Sequence, residues 1–342
     1  MKILFTAEND GNIEELNRIG ELIIKGWATG APILTEDELI KYGKDCEILI
    51  TSYDDITERV IKSCTKLKLI ACTRSNPVNI DVTSATACGV PVIYTPGRNS
   101  DATAELTISH MLNVARNIPQ AYMALKEHKF TQQEYKNKSV KKGLKEDCIW
   151  DMSKNSPYEI FKGIELKNKQ LGIIGYGSIG QRVGKIARGF GMKISVYDPF
   201  VSEMDINEPC IQKMELDDLL KTSDFVTLHL KINKLTKGLL NYEKIQLMKP
   251  SAYLINTSRA AVLDENAVID ALRNKRIAGA GFDVFQNEPI YENHPYINEF
   301  NNVIITPHIA GATKEALTNH TKMIISEIKR FINGQPLLYQ FK

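Results

Sequence analysis

The sequence lacks any apolar run long enough to cross a membrane, and it has almost no net charge. Its 342 residues include 43 Lys or Arg and 41 Asp or Glu, which leaves a formal net charge of +2. A spanning helix needs about 18–20 consecutive apolar residues, and no signal-peptide-like apolar region follows the strand-like residues 2–6. We therefore expect no membrane partner and no nucleic-acid partner, since a nucleic-acid-coating protein would be strongly basic.

Cysteines are few, and no two of them form a C-x-x-C pair. The six are Cys46, Cys64, Cys72, Cys88, Cys148 and Cys210. Cys46 and Cys72 lie in or beside apolar, strand-like runs. We therefore expect buried free thiols rather than disulfides, which suits a reducing, cytoplasmic location.

Several common catalytic motifs are also absent. The sequence has no G-x-x-x-x-G-K-[ST] phosphate-binding loop, no H-E-x-x-H segment and no G-x-S-x-G turn. Its histidines do not fall at a zinc-like spacing beside an acid; they are His110, His128, His229, His294, His308 and His320. We therefore expect no metal site.

The residues that are present form the pattern of an α/β protein with two domains. A length of 342 residues with 43% hydrophobic residues suits two globular domains. In the first hundred residues, strand-like runs at 2–6, 47–51, 68–72 and 91–94 alternate with helix-like segments at 12–25, 35–42, 57–62 and 81–88. From 169 onward, strand-like runs recur at 171–174, 193–197, 225–229, 252–256, 280–284 and 303–306, and an amphipathic helix follows at 312–332. This alternation predicts parallel sheets with helices on both faces.

A long helix-like segment separates the two halves. Residues 101–128 contain no glycine and predict a single helix. Residues 129–163 are rich in lysine and show no clear period, which predicts a solvated arm or insertion. An anionic partner for these lysines is the alternative, although interspersed acids dilute their charge.

Residues 171–180, LGIIGYGSIG, hold the most informative short motif. Gly175, Gly177 and Gly180 form G-x-G-x-x-G between a predicted strand and a predicted helix. In this context the glycines allow a tight turn, the approach of a pyrophosphate and close packing of helix on strand. Asp198 follows the next strand and is placed to bind the ribose hydroxyls of NAD while repelling the 2′-phosphate of NADP. The alternative is a glycine-rich turn with an incidental surface Asp.

Three further residues each follow a predicted strand. Arg259 comes after the run 252–256, Glu288 after 280–284 and His308 after 303–306. Ligands of such sheets bind beyond the carboxyl ends of the strands. Hydride transfer to a keto acid needs a cation for the substrate, a proton donor and a group that orients this donor, and these residues supply all three. For His308 taken alone, a structural loop histidine is the alternative.

At these positions the sequence resembles the D-isomer-specific 2-hydroxyacid dehydrogenase family, and its phosphoglycerate dehydrogenase-like branch in particular. The similarity covers essentially the whole chain. It is carried by residues 96–99 (PGRN), 175–180, 228–230 (LHL), 256–259 (NTSR), 279–284 (GAGFDV), 288–289 (EP) and 306–308 (TPH). The resemblance implies that Arg259 binds the substrate carboxylate, that His308 is the general acid and base, and that Glu288 keeps the imidazole protonated near neutrality.

The resemblance also implies contacts to cofactor and substrate. Besides the three glycines and Asp198, the NAD-binding residues would be Thr103, Ser178, Ile179, His229, Thr257, Ser258, Asp283 and Gly311. His229 could equally pack beneath the cofactor. Substrate would meet the loop that contains Arg74, Ser75, Asn76 and Asn79. Pro77 in this loop has no N–H to donate, which is a departure from the glycine-rich family pattern.

The family fold implies two Rossmann-like, doubly wound parallel-sheet domains with a cleft between them. A flavodoxin-like substrate domain would comprise residues 1–100 and 312–342, and an NAD-binding Rossmann domain residues 101–311. We expect a homodimer that acts on a small 2-hydroxy or 2-keto acid. No regulatory C-terminal domain is expected, since only nine residues follow Asn333. Glyoxylate, hydroxypyruvate, phosphoglycerate-like and sugar-acid substrates all fit. The alternative is an NAD-sensing, corepressor-like binding protein on the same fold.

Overall fold

The computed structural model of the protein describes residues 1–131, 154–206 and 211–341. It divides into two compact units, Met1–Asn99 with Ala312–Lys342, and Ser100–Gly311. The strands of the described residues are β1 Lys2–Phe5, β2 Glu21–Ile24, β3 Ile48–Thr51, β4 Leu69–Cys72, β5 Val92–Ile93, β6 Gln170–Ile174, β7 Lys193–Tyr197, β8 Ile211–Lys213, β9 Phe225–Leu228, β10 Tyr253–Asn256, β11 Gly279–Phe282, β12 Val303–Ile305 and β13 Gln340–Phe341.

Helices connect most of these strands. The α-helices are α1 Glu14–Ile19, α2 Glu36–Gly43, α3 Glu58–Ser63, α4 Val82–Ala87, α5 Ser100–Arg116, α6 Ile118–Lys126, α7 Pro157–Ile160, α8 Ser178–Gly189, α9 Leu216–Thr222, α10 Tyr242–Gln246, α11 Glu265–Arg273, α12 Pro295–Asn298 and α13 Lys314–Ile332. Short 3₁₀ helices lie at Gly26–Thr29, Glu203–Asp205 and Ala260–Val262.

The first unit is built on a six-stranded sheet in the order β13-β5-β4-β3-β1-β2. Its pairs are parallel except for β13, which runs antiparallel to β5. All residues of β3 and β4 are buried, as expected for parallel strands covered on both faces. Alternate residues enter two separate cores, with Leu49 and Ile70 on one face and Ile48 and Leu69 on the other. The continuous apolar runs of these strands therefore fill both sides of the sheet.

The helix starts of this unit follow the polar residues of the sequence. Thr35 and Glu38 form a capping box at the start of α2. The side chain of Thr57 accepts the N–H of Val60 at the start of α3, and Asp81 accepts that of Ser84 at the start of α4. These caps satisfy N–H groups that have no partner within their helix.

One predicted helix of this unit is wrong in its second half. Residues 12–25 contain only α1, and β2 follows it at the edge of the sheet beside β1. The chain turns at Gly20, whose backbone is extended and where a Cβ would lie 2.4 Å from the carbonyl oxygen of Met1. The apolar residues of β2 pack on the cores of this sheet, and this tertiary contact overrides the helical spacing.

The predicted long helix at 101–128 is two helices. Asn117 adopts a left-handed conformation, φ 52°, between α5 and α6. Pro119 lies in the first turn of α6, where its missing N–H costs nothing, whereas it could not continue α5. Of the predicted insertion at 129–163, residues 132–153 lie outside the described residues, and residues 157–160 form α7.

The second unit is built on a seven-stranded sheet in the order β12-β11-β10-β9-β6-β7-β8, and each pair is parallel. The strand order reverses at β6, which is the usual position of a ligand crevice in such sheets. The register aligns the ends of five strands, since Ile174 pairs with Leu228, Leu228 with Asn256, Asn256 with Phe282, and Phe282 with Ile305. The segments that follow these strands therefore share one edge of the sheet.

The cysteines within the described residues are free, as predicted, but one of them is not buried. Cys46, Cys64 and Cys72 are buried and Cys88 is exposed. Burial raises the pKa of the Cys64 and Cys72 thiols to about 11. Cys148 and Cys210 lie outside the described residues. Among the helices that the structure describes, none is both long and apolar enough to cross a membrane.

Candidate active site

The glycine-rich turn follows β6 and leads into α8. Gly175 has φ +90°, and a Cβ there would lie 2.5 Å from the carbonyl oxygen of His229. A Cβ on Gly180 would lie 2.2 Å from the carbonyl oxygen of Gly175, so the helix packs directly on the turn. A Cβ on Gly177 would meet no atom within 4 Å. The turn is therefore crowded on its inner side and open beside Gly177, just before the N-terminus of α8.

Asp198 follows β7 and is bonded to this turn. One carboxylate oxygen accepts the backbone N–H of Tyr176 at 2.8 Å, and the other accepts that of Phe200 at 2.9 Å. A carboxylate has about four acceptor positions, so two remain for further donors. The structure thus brings this acid to the glycine-rich turn as the sequence spacing predicts.

Arg259 lies in a turn that Asn256 holds. The side-chain oxygen of Asn256 accepts both the backbone N–H and the hydroxyl of Ser258, at 3.0 and 2.8 Å. The side-chain amide of Asn256 donates to the carbonyl of Arg259 at 2.9 Å. The guanidinium of Arg259 donates to the carbonyl of Ser258 at 2.6 Å and forms no ion pair with any described residue. Its remaining donors are available to an anion.

Glu288 and His308 meet although they belong to different loops. Nδ1 of His308 lies 2.6 Å from Oε2 of Glu288, and Oε1 of Glu288 accepts the backbone N–H of Phe285 at 3.1 Å. The two side chains are 47% and 37% exposed. Because Nδ1 faces a carboxylate, it carries a proton, and Nε2 is the nitrogen left for proton exchange with another molecule.

The side chain of Asp283 accepts hydrogen bonds from the loop that contains His308. This carboxylate is fully buried after β11. It accepts the hydroxyl of Thr306 at 2.5 Å and the backbone N–H groups of Ile309 and Ala310 at 2.9 and 2.8 Å. His308 itself has φ +55°, a conformation that costs energy for a residue other than glycine. The surrounding hydrogen bonds maintain this conformation.

Helix α5 contacts the loops of both Arg259 and His308. The hydroxyl of Thr103 donates to the carbonyl of Ala310 at 3.4 Å. The hydroxyls of Thr107 and Thr257 are 2.7 Å apart. Sequence reasoning included Thr103 but missed Thr107 and Thr306. The four-residue spacing of Thr103 and Thr107 on one helix face was the available signal.

His229 lies after β9, beside the glycine-rich turn. Both of its ring nitrogens are shielded from solvent and have no hydrogen-bond partner among the described residues. Burial lowers the pKa of this histidine to about 3, so its ring is neutral at pH 7. A neutral, packed imidazole suits contact with a cofactor better than acid–base chemistry.

The predicted substrate loop follows β4 in the first unit. The guanidinium of Arg74 lies over the ring of Tyr53 at 5.3 Å, and its backbone carbonyl accepts the N–H of Thr95. The amide of Asn79 donates to the carbonyl of Asp54 at 2.7 Å, so its side chain supports the loop. Pro77 is buried, whereas Asn76 is exposed and Ser75 is partly exposed.

The remaining predicted residues lie near the turn and at the end of the second unit. The hydroxyl group of Ser100 donates a hydrogen bond to the hydroxyl oxygen of Ser178 at 3.0 Å. Ile179 packs against the core beside β6, and Gly311 follows Ala310 as the last residue of this unit. Across the residues that the structure describes, no group of three His, Cys, Asp or Glu side chains could hold a metal ion.

A doubly wound sheet with a G-x-G-x-x-G turn at its switch point and an acid after the next strand defines a dinucleotide-binding α/β protein. Residues 108–310 match the family described as D-isomer specific 2-hydroxyacid dehydrogenase, NAD binding domain. The chain belongs to this family, and its second unit contains the NAD-binding domain. The fold is accordingly the two-domain, Rossmann-like fold that the sequence predicts.

Individual proteins agree with this assignment. The YoaD protein of Bacillus subtilis is 33% identical over 99% of this chain and 93% of its own length. A D-3-phosphoglycerate dehydrogenase of Methanocaldococcus jannaschii is 36% identical over 98% of this chain, which spans 58% of that relative. The crystal structure of the TT0316 protein from Thermus thermophilus has a TM-score of 0.79 and 29% identity, with both chains fully covered.

The residues of the site fit the NAD that this family binds. A Cβ at Gly177 would occupy the open space next to the α8 N-terminus, where backbone N–H groups can receive a phosphate. Asp198 retains acceptor positions for ribose hydroxyls. The unpartnered ring nitrogens of His229 lie beside the same turn. Each is a feature that a bound dinucleotide would complete.

Proposed function

We propose that the protein interconverts a D-2-hydroxy acid and its 2-keto acid, with His308 as the acid and base, Glu288 as its partner and Arg259 as the substrate-binding cation. The observation that carries this proposal is the 2.6 Å contact between His308 Nδ1 and Glu288 Oε2. It leaves Nε2 free for proton transfer, and it lies at the sheet edge that also carries the glycine-rich turn.

Bound NAD supplies the hydride acceptor for oxidation and, as NADH, the hydride donor for reduction. In reduction, Arg259 binds the carboxylate and polarises the keto group, since its planar guanidinium can donate two parallel hydrogen bonds. His308 gives the proton on Nε2 to the keto oxygen. Glu288 stabilises the imidazolium before this transfer, and in oxidation His308 takes the proton back.

The proposed cofactor and substrate residues are those named from the sequence. NAD would be held by the three glycines of the turn, Asp198 and the residues at the same sheet edge: Thr103, Ser178, Ile179, His229, Thr257, Ser258, Asp283 and Gly311. We assign Arg74, Ser75 and Asn76 to the substrate in the first unit, and Asn79 to the support of that loop. A homodimer likewise remains a prediction.

Turnover of NADH tests the proposal directly. The protein is incubated with NADH and, separately, with glyoxylate, hydroxypyruvate, phosphohydroxypyruvate and sugar-derived 2-keto acids, and loss of NADH absorbance is followed. We expect turnover of at least one acid, and a higher kcat/KM with NADH than with NADPH because Asp198 repels a 2′-phosphate.

Tight NADH binding without turnover of any acid would contradict the proposal and favour the corepressor-like alternative. A preference for NADPH would contradict only the proposed role of Asp198 and not the proposed reaction. The specific keto acid follows from the kcat/KM values of the panel.

A further inference from the structure

Helix α5 carries three polar side chains on the face that it turns toward the sheet. Thr103, Thr107 and His110 are spaced by four and three residues, which places them on one side of a helix. The first two reach Ala310 and Thr257. The third is 1% exposed, and its Nε2 lies 3.0 Å from the hydroxyl oxygen of Thr306. Neither sequence reasoning nor the family match assigns a role to His110.

The hydrogen bonds determine which nitrogen of His110 carries the proton. Thr306 has one hydroxyl proton, and it donates this proton to Asp283 at 2.5 Å. The hydroxyl oxygen must therefore accept from Nε2 of His110. Burial lowers the pKa of His110 to about 4, so the ring is neutral at pH 7 and Nδ1 carries no proton.

The other nitrogen of His110 has no compensating contact. Nδ1 is buried and has no hydrogen-bond partner among the described residues. Leaving a buried acceptor unsatisfied costs stability, and an apolar residue of similar size would avoid this cost. Polar groups that violate packing rules in this way are expected at functional positions. The contact from Nε2 to Thr306 therefore explains why a histidine occupies this position.

A glycine in β11, Gly281, makes room for His110. A Cβ on Gly281 of β11 would lie 2.9 Å from Cβ of His110. Only a residue without a side chain lets α5 approach the strand this closely. The imidazole can then pass β11 and reach Thr306, which follows β12.

Asp283 accepts hydrogen bonds from residues on both sides of His308 in the sequence. Thr306 precedes His308 by two residues, and the same carboxylate accepts the N–H groups of Ile309 and Ala310 directly after it. A shift in the Thr306 hydroxyl therefore changes the hydrogen bonds that hold the left-handed conformation of His308.

We propose that His110 is a positioning residue for His308: its Nε2–H directs the Thr306 hydroxyl to Asp283, and Asp283 then fixes the backbone that follows His308. The inference rests on the proposed function in that His308 is taken as the acid and base. We expect its loss to lower the rate of the chemical step, since a misplaced catalytic group lowers kcat.

Two substitutions of His110 by residues with a side-chain amide test whether the hydrogen bond from the Nε2 position is what matters, or only a polar side chain. In His110→Gln the side-chain NH₂ falls near the position of Nε2, whereas in His110→Asn it falls near that of Nδ1 and cannot reach Thr306. We expect His110→Asn to lower kcat about tenfold, the change that corresponds to one net hydrogen bond. His110→Gln should restore most of kcat.

Amide hydrogen exchange gives a second measurement that does not depend on turnover. His110→Asn should speed exchange at Ile309 and Ala310 about tenfold, since their acceptor is displaced, and His110→Gln should not. Met111→Ala is the matched control, because Met111 is the fully buried, apolar neighbour on α5. It should lower the melting temperature without changing kcat or exchange at these two amides.

Equal kcat and equal exchange in the Asn and Gln variants would overturn the inference. So would a loss of kcat in Met111→Ala as large as that in His110→Asn. If the wild-type protein turns over no keto acid, the proposed function fails, and exchange at Ile309 and Ala310 still decides the role of His110. In the wild type, ¹⁵N NMR of the ring should show the neutral Nε2–H form; an Nδ1–H form at pH 7 would overturn the inference even where no variant folds.

Discussion

His308 and Glu288 are separated by 20 residues in sequence, and their contact depends on two adjacent strands. Each follows the carboxyl end of its strand, Glu288 after β11 and His308 after β12. The pair is about half exposed, so its electrostatic interaction is screened and its contribution to stability is small. In the proposed mechanism its importance is chemical, because the carboxylate orients the imidazole through Nδ1 and leaves Nε2 for proton transfer.

Replacement of the imidazole tests its chemical role. His308→Ala should lower the rate of keto-acid reduction by roughly 10²–10⁴, the range for a lost general acid, while the Kd for NADH stays near the wild-type value. The measurement is steady-state turnover with fluorescence titration of NADH. His294→Ala is the matched control, since His294 also lies near a carboxylate, 3.6 Å from Glu265. Rates near wild type in His308→Ala would remove His308 from the mechanism.

Replacement of the carboxylate tests the pairing. In the proposed mechanism reduction requires a proton on Nε2 of His308, and Glu288→Gln removes the neighbouring negative charge. The alkaline limb of the pH profile for reduction should therefore move to lower pH, as measured from kcat/KM across the pH range. Glu265→Gln, beside His294, should leave the limb in place. An alkaline limb that does not move in Glu288→Gln would show that the carboxylate does not support the imidazolium.

The residues of this site differ in how far sequence could predict them. Gly175, Asp198 and His308 follow strands whose apolar runs are easily found, and parallel strands end at a common edge. His110 could not be assigned in this way. Its position fits the helical spacing of α5, but that spacing does not show which strand the helix faces. The contact with Thr306 depends on the close approach at Gly281, a feature of the packed structure.

At the scale of elements, the errors lie where tertiary contacts outweigh local pattern. The residues of β2 have an apolar spacing that a helix could use, yet they pair with β1 as an edge strand. The end of α5 depends on the left-handed conformation of Asn117, which its sequence neighbours do not require. By contrast, the helix predicted at 35–42 agrees with α2, whose start is fixed by a local interaction, the capping box of Thr35 and Glu38.

The last strand depends on one buried carboxylate. Glu327 on α13 is 1% exposed and accepts the N–H groups of Leu338 and Tyr339 at 2.8 and 3.0 Å. The carbonyl of Tyr339 in turn accepts the N–H of Tyr94, just beyond β5. This carboxylate therefore holds the segment that leads into β13.

Loss of this carboxylate should destabilise the first unit. Glu327→Ala leaves two N–H groups without an acceptor and should lower the free energy of unfolding by about 2–3 kcal/mol, as measured by urea denaturation. Cleavage by protease in residues 336–341 should also become faster. Glu315→Ala, in the exposed first turn of α13, should change the free energy by less than about 0.5 kcal/mol. Equal stability of the two variants would contradict the role of Glu327.

At the scale of the whole molecule, both units contain histidines that are buried in the neutral form. Burial lowers the pKa of His110 and His320 to about 4 and that of His229 to about 3. An unfolded histidine has a pKa of about 6.5. Each of these groups therefore binds a proton more readily in the unfolded chain, and its stabilising effect is complete above about pH 6.5 and is lost as the pH falls toward 4.

The lowered pKa values of these histidines predict that the protein loses stability in mild acid, at a pH above that at which most carboxylates titrate. Lowering the pH from about 7 to about 5 should cost about 2 kcal/mol for each of the two fully buried histidines, His110 and His320. Carboxyl groups with a lowered pKa, such as Glu36 and Asp81, make stability depend on pH only at lower pH values. Urea denaturation at several pH values measures the slope, and His320→Gln should reduce it because one such proton site is gone. His128→Gln should not, since His128 is exposed. An equal slope in the His320 variant and the wild type would mean that this histidine is already solvated, or already charged, in the folded protein.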